Sequence, residues 1–220
     1  MIKACIFDMD GTVLDTIGTI TYFVNVTLEK FGIRKISEDE CKIFVGNGAR
    51  LLIERTLKSR GLEDEKLICE VLDSYNAAYD ADPNYMTKPF DKITELLAAL
   101  RAHGIKVGIV SNKPDFITRP LSEHFFGELV DLTVGGREGV PLKPSPDAVL
   151  EMLESLGAAP SELVYVGDTG TDMQTGKNAG AYLTVGVLWG FRKESELREN
   201  GADVIVNNPL QILDEVIKLG

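Results

Sequence analysis

The chain has 220 residues, 44% of them hydrophobic, which is the size and composition of a soluble protein with one substantial core. Its formal net charge of −11 argues against a surface built for nucleic acid or an anionic membrane, and neither is expected as a partner. No apolar stretch approaches the roughly 20 residues of a membrane span, and the three cysteines form no disulfide pattern, so a cytoplasmic protein is predicted.

The chain alternates short apolar runs with helical patterns, which is typical of a parallel sheet covered by helices on both faces. The first strand is predicted at residues 2–7. After a long interruption, further strands are predicted at residues 105–110, 129–134, 163–166, 183–188 and 204–206. Helical patterns accompany them at residues 91–103, 146–156, 172–179 and 210–219.

The interruption, residues 15–87, contains helical patterns and no convincing strand. Its apolar side chains recur at helical spacing between Leu67 and Tyr79, and Ser37 with Glu40 predicts a capping box at the start of another helix. We therefore predict an α/β fold, a doubly wound parallel sheet with a Rossmann-like core formed by residues 1–14 and 88–220. Residues 15–87 are predicted to be an inserted all-helical cap domain.

Reactive side chains follow the predicted strands, and ligands of such sheets bind beyond the carboxyl ends of the strands. They are Asp8, Asp10 and Thr12 after the first strand, Ser111, Asn112 and Lys113 after the second, Lys143 in a later loop, and Asp168 and Asp172 after the fourth. Singly, each group has an ordinary explanation as a turn, a helix cap or a solvated lysine. Together at one sheet edge, the carboxylates would repel one another unless a hard divalent cation such as Mg²⁺ were bound.

The motifs Asp8-x-Asp10-Gly11-Thr12, Ser111, Lys143 and Gly167-Asp168-x-x-x-Asp172 resemble, in this order, the four motifs of the haloacid dehalogenase superfamily. The resemblance covers essentially the whole chain, including the position of the helical cap. Within the superfamily, the cap segment Val45-Gly46-Asn47-Gly48-Ala49-Arg50 and the tail Gly186-Val187-Leu188-Trp189-Gly190-Phe191 are similar to phosphoglycolate phosphatases.

The resemblance implies a covalent mechanism in which Asp8 attacks phosphorus and Asp10 serves as general acid and then as general base. It implies Mg²⁺ bound by Asp8, the Asp10 carbonyl and Asp168, with Asp172 orienting metal-bound water. It places Ser111, the Asn112 amide and Lys143 on the transferring phosphoryl group and Thr12 among the substrate-binding residues.

Two groups outside these motifs carry open alternatives. Gly46, Asn47 and Gly48 are either a helix–helix turn or a substrate-specificity loop, and Arg50 is either a solvated helix residue or a contact to a substrate carboxylate. Trp189 and Phe191 are expected to pack near the last strands.

The predicted function is that of a magnesium-dependent phosphomonoester hydrolase that acts on 2-phosphoglycolate through an aspartyl-phosphate. Pyrophosphate, sugar phosphates and nucleotides remain alternative substrates, and a β-phosphoglucomutase-like phosphotransferase an alternative enzyme. A phospho-accepting signalling domain is the alternative from a different class of protein. A small phosphorylated metabolite is the expected partner, and the protein is expected to be a monomer or a homodimer.

Overall fold

The computed structural model describes residues 1–218, so Leu219, the last residue of the predicted C-terminal helix, lies outside the described residues. The chain divides into two compact units. The smaller unit is Thr16–Lys88, and the larger combines Met1–Asp15 with the chain from Pro89 onward.

The strands are numbered along the chain: β1 (Ala4–Phe7), β2 (Leu14–Asp15), β3 (Lys88–Pro89), β4 (Lys106–Pro114), β5 (Leu132–Gly136), β6 (Leu163–Gly167), β7 (Leu183–Val187) and β8 (Val204–Val206). Six of them form one parallel sheet in the order β5-β4-β1-β6-β7-β8, and β2 pairs with β3. The predicted doubly wound α/β sheet is confirmed. The direction of winding reverses between β1 and β6, which is where such folds bind ligands.

The helices are α1 (Ile17–Lys30), α2 (Glu38–Phe44), α3 (Ala49–Lys58) and α4 (Glu65–Ala81) in the smaller unit, followed by α5 (Ile93–Ala102), α6 (Asp115–Phe126), α7 (Asp147–Leu156), α8 (Gly170–Asn178), α9 (Glu194–Glu199) and α10 (Leu210–Lys218). The sequence patterns did not predict α6 or α9. Among residues 1–218, no helix is both long and apolar enough to cross a membrane.

The central strand β1 is buried on both faces because its side chains alternate between them. Ala4 and Ile6 join a cluster that includes Met152 of α7, while Cys5 and Phe7 are equally buried on the opposite face. Gly108 of β4 lets α7 approach closely, since a Cβ there would lie 2.3 Å from the Met152 sulfur. The strand that precedes Asp8 is therefore fixed in a close-packed core.

The smaller unit consists of helices, apart from Lys88 at its end. The capping box between Ser37 and Glu40 is present at the start of α2. Phe23 of α1 packs edge-on against Tyr79 of α4, and both side chains are buried. The loop between α2 and α3 contains Gly46 and Gly48, both with positive φ angles that other residues rarely adopt.

Candidate active site

The ammonium group of Lys143 lies between two carboxylates. Its Nζ donates to Asp8 Oδ1 at 2.6 Å and to Asp172 Oδ1 at 2.7 Å, and all three side chains are buried. Burial tends to lower the pKa of Lys143, but the charges of Asp172 and Asp8 outweigh it and hold that pKa well above its usual value. Lys143 is therefore a fixed positive charge beside Asp8.

Asp168, at the end of β6, is held by hydrogen bonds to both carboxylate oxygens. The Thr12 hydroxyl donates to Oδ1 at 3.0 Å, and the Phe191 backbone N–H donates to Oδ2 at 2.7 Å. A Cβ at Gly11 or at Gly190 would lie 2.4 Å from Asp168 Oδ2. Only glycine allows these two backbone segments to approach the carboxylate so closely.

Asp172 is oriented by its own helix as well as by Lys143. Thr169 is the N-cap of α8, and its backbone N–H and hydroxyl both donate to Asp172 Oδ2, at 3.1 and 2.6 Å. Gly167 must lack a side chain, because a Cβ there would lie 2.2 Å from the Asp172 Cβ. The helix cap is thus made by Thr169 rather than by Asp168, which the sequence had offered as a cap.

Asp10 contacts a second lysine. Lys113 Nζ lies 3.1 Å from Asp10 Oδ2, with side chains that are 9% and 20% exposed, respectively. The other oxygen, Asp10 Oδ1, is buried and has no hydrogen-bond partner within the described part of the chain. Asp10 therefore contacts a cation through Oδ2, while Oδ1 can still take part in a hydrogen bond.

The acidic groups form a set that fits a divalent cation. Asp8, Asp168 and Asp172 each offer a carboxylate oxygen, and these atoms lie within 4.8 Å of one another. With Asp10, the described part of the site combines four carboxylates with two ammonium groups, those of Lys143 and Lys113, so two negative charges are unbalanced when all four acids are ionised. Clustered carboxylate oxygens are the ligands that Mg²⁺ prefers, and its double charge matches the excess.

The pKa values of Asp8 and Asp168 also fit a site that binds a cation. Burial raises the pKa of Asp8 to about 7, with Lys143 opposing the rise and Asp172 adding to it. Burial and the charges of Asp172 and Asp8 raise the pKa of Asp168 well above its ordinary range, despite the hydrogen bonds from Phe191 and Thr12. A bound cation would favour the ionised form of both groups and reverse these shifts.

The segment from Ser111 to Lys113 lies within β4, not after the strand as predicted. The Ser111 hydroxyl accepts the Lys113 N–H at 3.2 Å instead of capping a helix. The Asn112 side chain pairs with both backbone groups of Lys143, accepting its N–H at 2.8 Å and donating to its carbonyl at 3.2 Å. Asn112 thus fixes the loop that carries Lys143, while the phosphoryl contact of its backbone amide stays a prediction.

In the helical unit, Arg55 supports the loop between α2 and α3. Arg55 donates to the Phe44 carbonyl at 2.8 Å and to Asn47 Oδ1 at 2.9 Å. Arg50 is about half exposed and pairs with Glu54 and Glu65, at 2.7 and 2.6 Å. Substrate recognition by Gly46, Asn47, Gly48 and Arg50 stays a prediction.

A family model for haloacid dehalogenase-like hydrolases matches residues 5–185, which include all four motifs. This chain belongs to the haloacid dehalogenase-like hydrolase family. It is 34% identical over 192 residues to phosphoglycolate phosphatase from Aquifex aeolicus, covering 87% of each chain. It is 31% identical over 217 residues to N-acetylmuramic acid 6-phosphate phosphatase from Pseudomonas aeruginosa, covering 97% of this chain and 94% of the relative.

Solved structures share the fold over nearly the full length. A protein from Lactobacillus delbrueckii subsp. bulgaricus superposes with a TM-score of 0.93 at 31% identity, covering 97% of this chain and 98% of the other. A haloacid dehalogenase-like family hydrolase from Streptococcus pneumoniae gives a TM-score of 0.85 at 22% identity, covering 97% and 98%. The prediction of a phosphatase that resembles phosphoglycolate phosphatases is confirmed at the level of enzyme class.

Reasoning from the sequence overlooked several residues of this haloacid dehalogenase-like site. Trp189 and Phe191, which were expected only to pack near the last strands, also make hydrogen bonds to the site. The Trp189 indole N–H donates to the Thr12 carbonyl at 3.0 Å, and the Phe191 backbone N–H donates to Asp168. The Lys113 contact to Asp10 was also missed. The spacing Trp189-Gly190-Phe191 was a visible signal, but nothing in it indicated which aspartate it would meet.

Proposed function

We propose that the protein is a Mg²⁺-dependent phosphomonoester hydrolase that works through a covalent aspartyl-phosphate on Asp8. The observation that carries the proposal is the position of Asp8, with one oxygen on the buried Lys143 ammonium and with Asp10 two residues away. A carboxylate nucleophile splits one difficult displacement into two easier ones.

In the first half-reaction, a carboxylate oxygen of Asp8 forms a bond to phosphorus while the bond between phosphorus and the leaving oxygen breaks. Asp10, protonated at Oδ1, gives its proton to the leaving alkoxide. In the second half-reaction, Asp10 takes a proton from water as the water oxygen attacks phosphorus. The Asp8–phosphate bond breaks, and inorganic phosphate and free Asp8 result.

The phosphoryl charge is balanced by groups that are already in place. Lys143 stands beside Asp8, and the Ser111 hydroxyl with the Asn112 backbone amide would donate to phosphoryl oxygens. Asp8, the Asp10 carbonyl and Asp168 would hold Mg²⁺, which neutralises negative charge on the nucleophile and on the phosphoryl group. Asp172 would act from outside this ligand set, because its two oxygens already accept three hydrogen bonds, one from the Lys143 ammonium and two from Thr169.

The proposed substrate is 2-phosphoglycolate. Support comes from relatives named phosphoglycolate phosphatase in Aquifex aeolicus and, at 33% identity over 200 residues, in Rhodospirillum rubrum. We propose that residues of the cap select the leaving group, since the core contacts described above suit any phosphate ester. The proposal takes the protein to be a cytoplasmic enzyme, which agrees with its three free cysteines.

A sugar phosphate is the second candidate substrate. It is favoured by the likeness to N-acetylmuramic acid 6-phosphate phosphatase, which extends over 97% of this chain. A phospho-accepting signalling role is less well supported, because Asp10 beside the nucleophile favours hydrolysis of the phosphoaspartate over its persistence.

The test is phosphate release by purified protein from 2-phosphoglycolate, a sugar 6-phosphate, pyrophosphate and a nucleoside monophosphate, each with Mg²⁺ and with excess EDTA. We expect the highest kcat/KM for 2-phosphoglycolate and loss of activity in EDTA. A higher kcat/KM for the sugar phosphate would overturn the choice of substrate and leave the enzyme class standing. No release from any ester would overturn the hydrolase proposal.

Asp8→Asn tests the covalent mechanism, because an amide cannot form the acyl-phosphate. We expect the variant to fold and to lose turnover by at least about 1,000-fold. Asp73→Asn, the same change at an exposed position on α4, is the matched control and should retain activity. Substantial turnover by folded Asp8→Asn would be incompatible with an aspartyl-phosphate.

A further inference from the structure

The two lysines of the site contact three of its four carboxylates, and Asp168 is bound instead by Thr12 and Phe191. Lys143 contacts Asp8 and Asp172, whereas Lys113 contacts Asp10 at 3.1 Å. The motifs identified in the sequence account for Lys143 and leave Lys113 without a role. Its side chain is only 9% exposed, so it is not a solvated surface lysine.

The backbone of Lys113 is anchored on both sides. Its N–H donates to the Ser111 hydroxyl at 3.2 Å, and its carbonyl accepts from the Thr118 hydroxyl at 3.0 Å. A Cβ at Gly135 of the neighbouring strand would lie 2.7 Å from the Lys113 carbonyl oxygen, so the strands leave no room for a shift there. The lysine stem therefore starts from a fixed point at the end of β4.

The contact from Lys113 treats the two oxygens of Asp10 differently. Oδ2 lies against the ammonium group, while Oδ1 is buried and has no partner in the part of the chain that is described. A buried oxygen with unmet hydrogen-bonding capacity is suited to a bound molecule. Rotation of the carboxylate about its terminal bond is otherwise broad and two-fold, so an anchor on one oxygen decides where the other stands.

We infer that Lys113 is a positioning residue that anchors Asp10 through Oδ2 and so presents Oδ1 to the leaving-group oxygen of the substrate. The inference rests on the proposed function, because it concerns the proton that Asp10 gives to the departing alkoxide. Proton transfer depends on hydrogen-bond geometry, and a misplacement of about 1 Å can cost on the order of 100-fold in rate.

The test uses the dependence of rate on the leaving group. Phenyl phosphate releases a strongly basic phenolate that needs a proton, whereas 4-nitrophenyl phosphate releases a weakly basic one that needs it much less. The value of kcat/KM reports steps up to phosphorylation of Asp8, so the later activation of water by Asp10 does not enter. The two esters have similar ring shapes, and neither carries a carboxylate for a cation to recognise.

We expect Lys113→Met, which keeps the aliphatic stem, to lower kcat/KM for phenyl phosphate on the order of 10-fold more than for 4-nitrophenyl phosphate. Lys113→Arg should bring the ratio of the two kcat/KM values most of the way back to that of the unaltered enzyme, because it returns a cation to Asp10 Oδ2. In an Asp10→Asn background, Lys113→Met should add no further discrimination between the esters. Lys66→Met, on the exposed side of α4, is the matched control and should leave the ratio unchanged.

Equal losses for the two esters in folded Lys113→Met would overturn the inference, because a general structural defect does not depend on the leaving group. Additive discrimination in the Asp10→Asn background would also overturn it. If Lys113→Met does not purify as folded protein, Lys113→Gln carries the same comparison. Inactivity of the unaltered enzyme on every ester would instead refute the proposed function.

Discussion

The charged groups at the carboxyl ends of the core strands and Arg50 of the helical unit are held in opposite ways. In the core, Asp8, Asp168, Asp172 and Lys143 are buried, and each accepts or donates hydrogen bonds with fixed partners. In the helical unit, Arg50 is about half exposed and pairs with two partly exposed glutamates. Exposed ion pairs contribute little free energy and exchange partners readily. Removing one partner of a buried pair is strongly destabilising, because it leaves an uncompensated buried charge.

Buried groups with fixed partners suit a catalytic site, whereas exposed groups can be substituted with little effect on the rest of the fold. A reacting carboxylate needs a fixed geometry and low exposure to water, which close-packed strand ends supply. A residue that recognises one leaving group must be able to change without disturbing that geometry. A loop such as residues 46–48, which is partly exposed and is held by Arg55 through Phe44 and Asn47, meets this requirement.

Metal binding gives the largest expected effect and tests the core side of the comparison. Asp168→Ala should weaken Mg²⁺ binding on the order of 100-fold or more, and Asp172→Ala about 10-fold. The physical reason is that Asp172 accepts three hydrogen bonds, one of them from the Lys143 ammonium, whereas Asp168 accepts two, both from uncharged donors. Calorimetric titration with Mg²⁺ measures both affinities.

Asp73→Ala, an exposed aspartate on α4, is the control and should bind Mg²⁺ as the unaltered protein does. Equal losses in Asp168→Ala and Asp172→Ala would show that the two carboxylates share the metal directly. That result would contradict the assignment of Asp172 to a position outside the ligand set.

Substrate selection tests the helical side of the comparison and should give a smaller effect. Arg50→Ala should lower kcat/KM for 2-phosphoglycolate more than for 4-nitrophenyl phosphate, by about 1.5–3 kcal/mol if the guanidinium contacts the substrate carboxylate. The contact would require Arg50 to leave Glu54 or Glu65, which exposed pairs permit. Steady-state kinetics on the two esters decide it.

Arg55→Ala is the matched comparison, because Arg55 supports the loop through Phe44 and Asn47 instead of carrying a free recognition group. Its loss should affect both esters alike. If Arg50→Ala also affects them alike, or has no effect, the prediction that Arg50 recognises the substrate is wrong.

The smallest expected effect is a pH dependence of stability without metal. The pKa of Asp8 is raised to about 7 in the folded protein, compared with about 3.9 in an unfolded chain. Between these values the folded state binds more protons, so this group makes the free energy of unfolding fall as pH rises through that range. Asp8→Asn removes the effect, so its stability relative to that of the unaltered protein should rise by about 1–2 kcal/mol between pH 5 and pH 6.5.

Urea unfolding in EDTA at the two pH values measures this difference. Saturating Mg²⁺ should abolish it for the unaltered protein, because the cation stabilises ionised Asp8. An equal difference in stability at both pH values would mean that Asp8 is already ionised in the metal-free fold.

The sequence predicted the sheet well because its buried strands are short apolar runs between turn signals. All six strands of the main sheet were located to within three residues at their starts, and the reactive groups lie where the strand ends placed them. Helix α6 was missed because Pro120 lies inside it and reads as a helix breaker. Helix α9 is too short and too polar to show a period.

Within the site, the sequence predicted which residues carry chemistry but not which partners hold them. The contacts of Lys113 with Asp10 and of Phe191 with Asp168 join segments that no local pattern connects. Arg50 and Arg55 illustrate the same limit, since both follow the Gly46–Gly48 loop and only the fold shows which one supports it.

The division of the core into two chain segments has a consequence for the order in which the protein forms during synthesis. The strand that leads to Asp8 is made first, yet its sheet neighbours are β4 and β6, and Thr12 meets Asp168 across 156 positions of sequence. At a translation rate of about 5–20 residues per second, β1 waits on the order of ten seconds for its second neighbour. The continuous segment Thr16–Lys88 emerges complete during this interval. The nascent chain therefore holds all its helical-unit residues well before the strand that leads to Asp8 has both of its sheet neighbours.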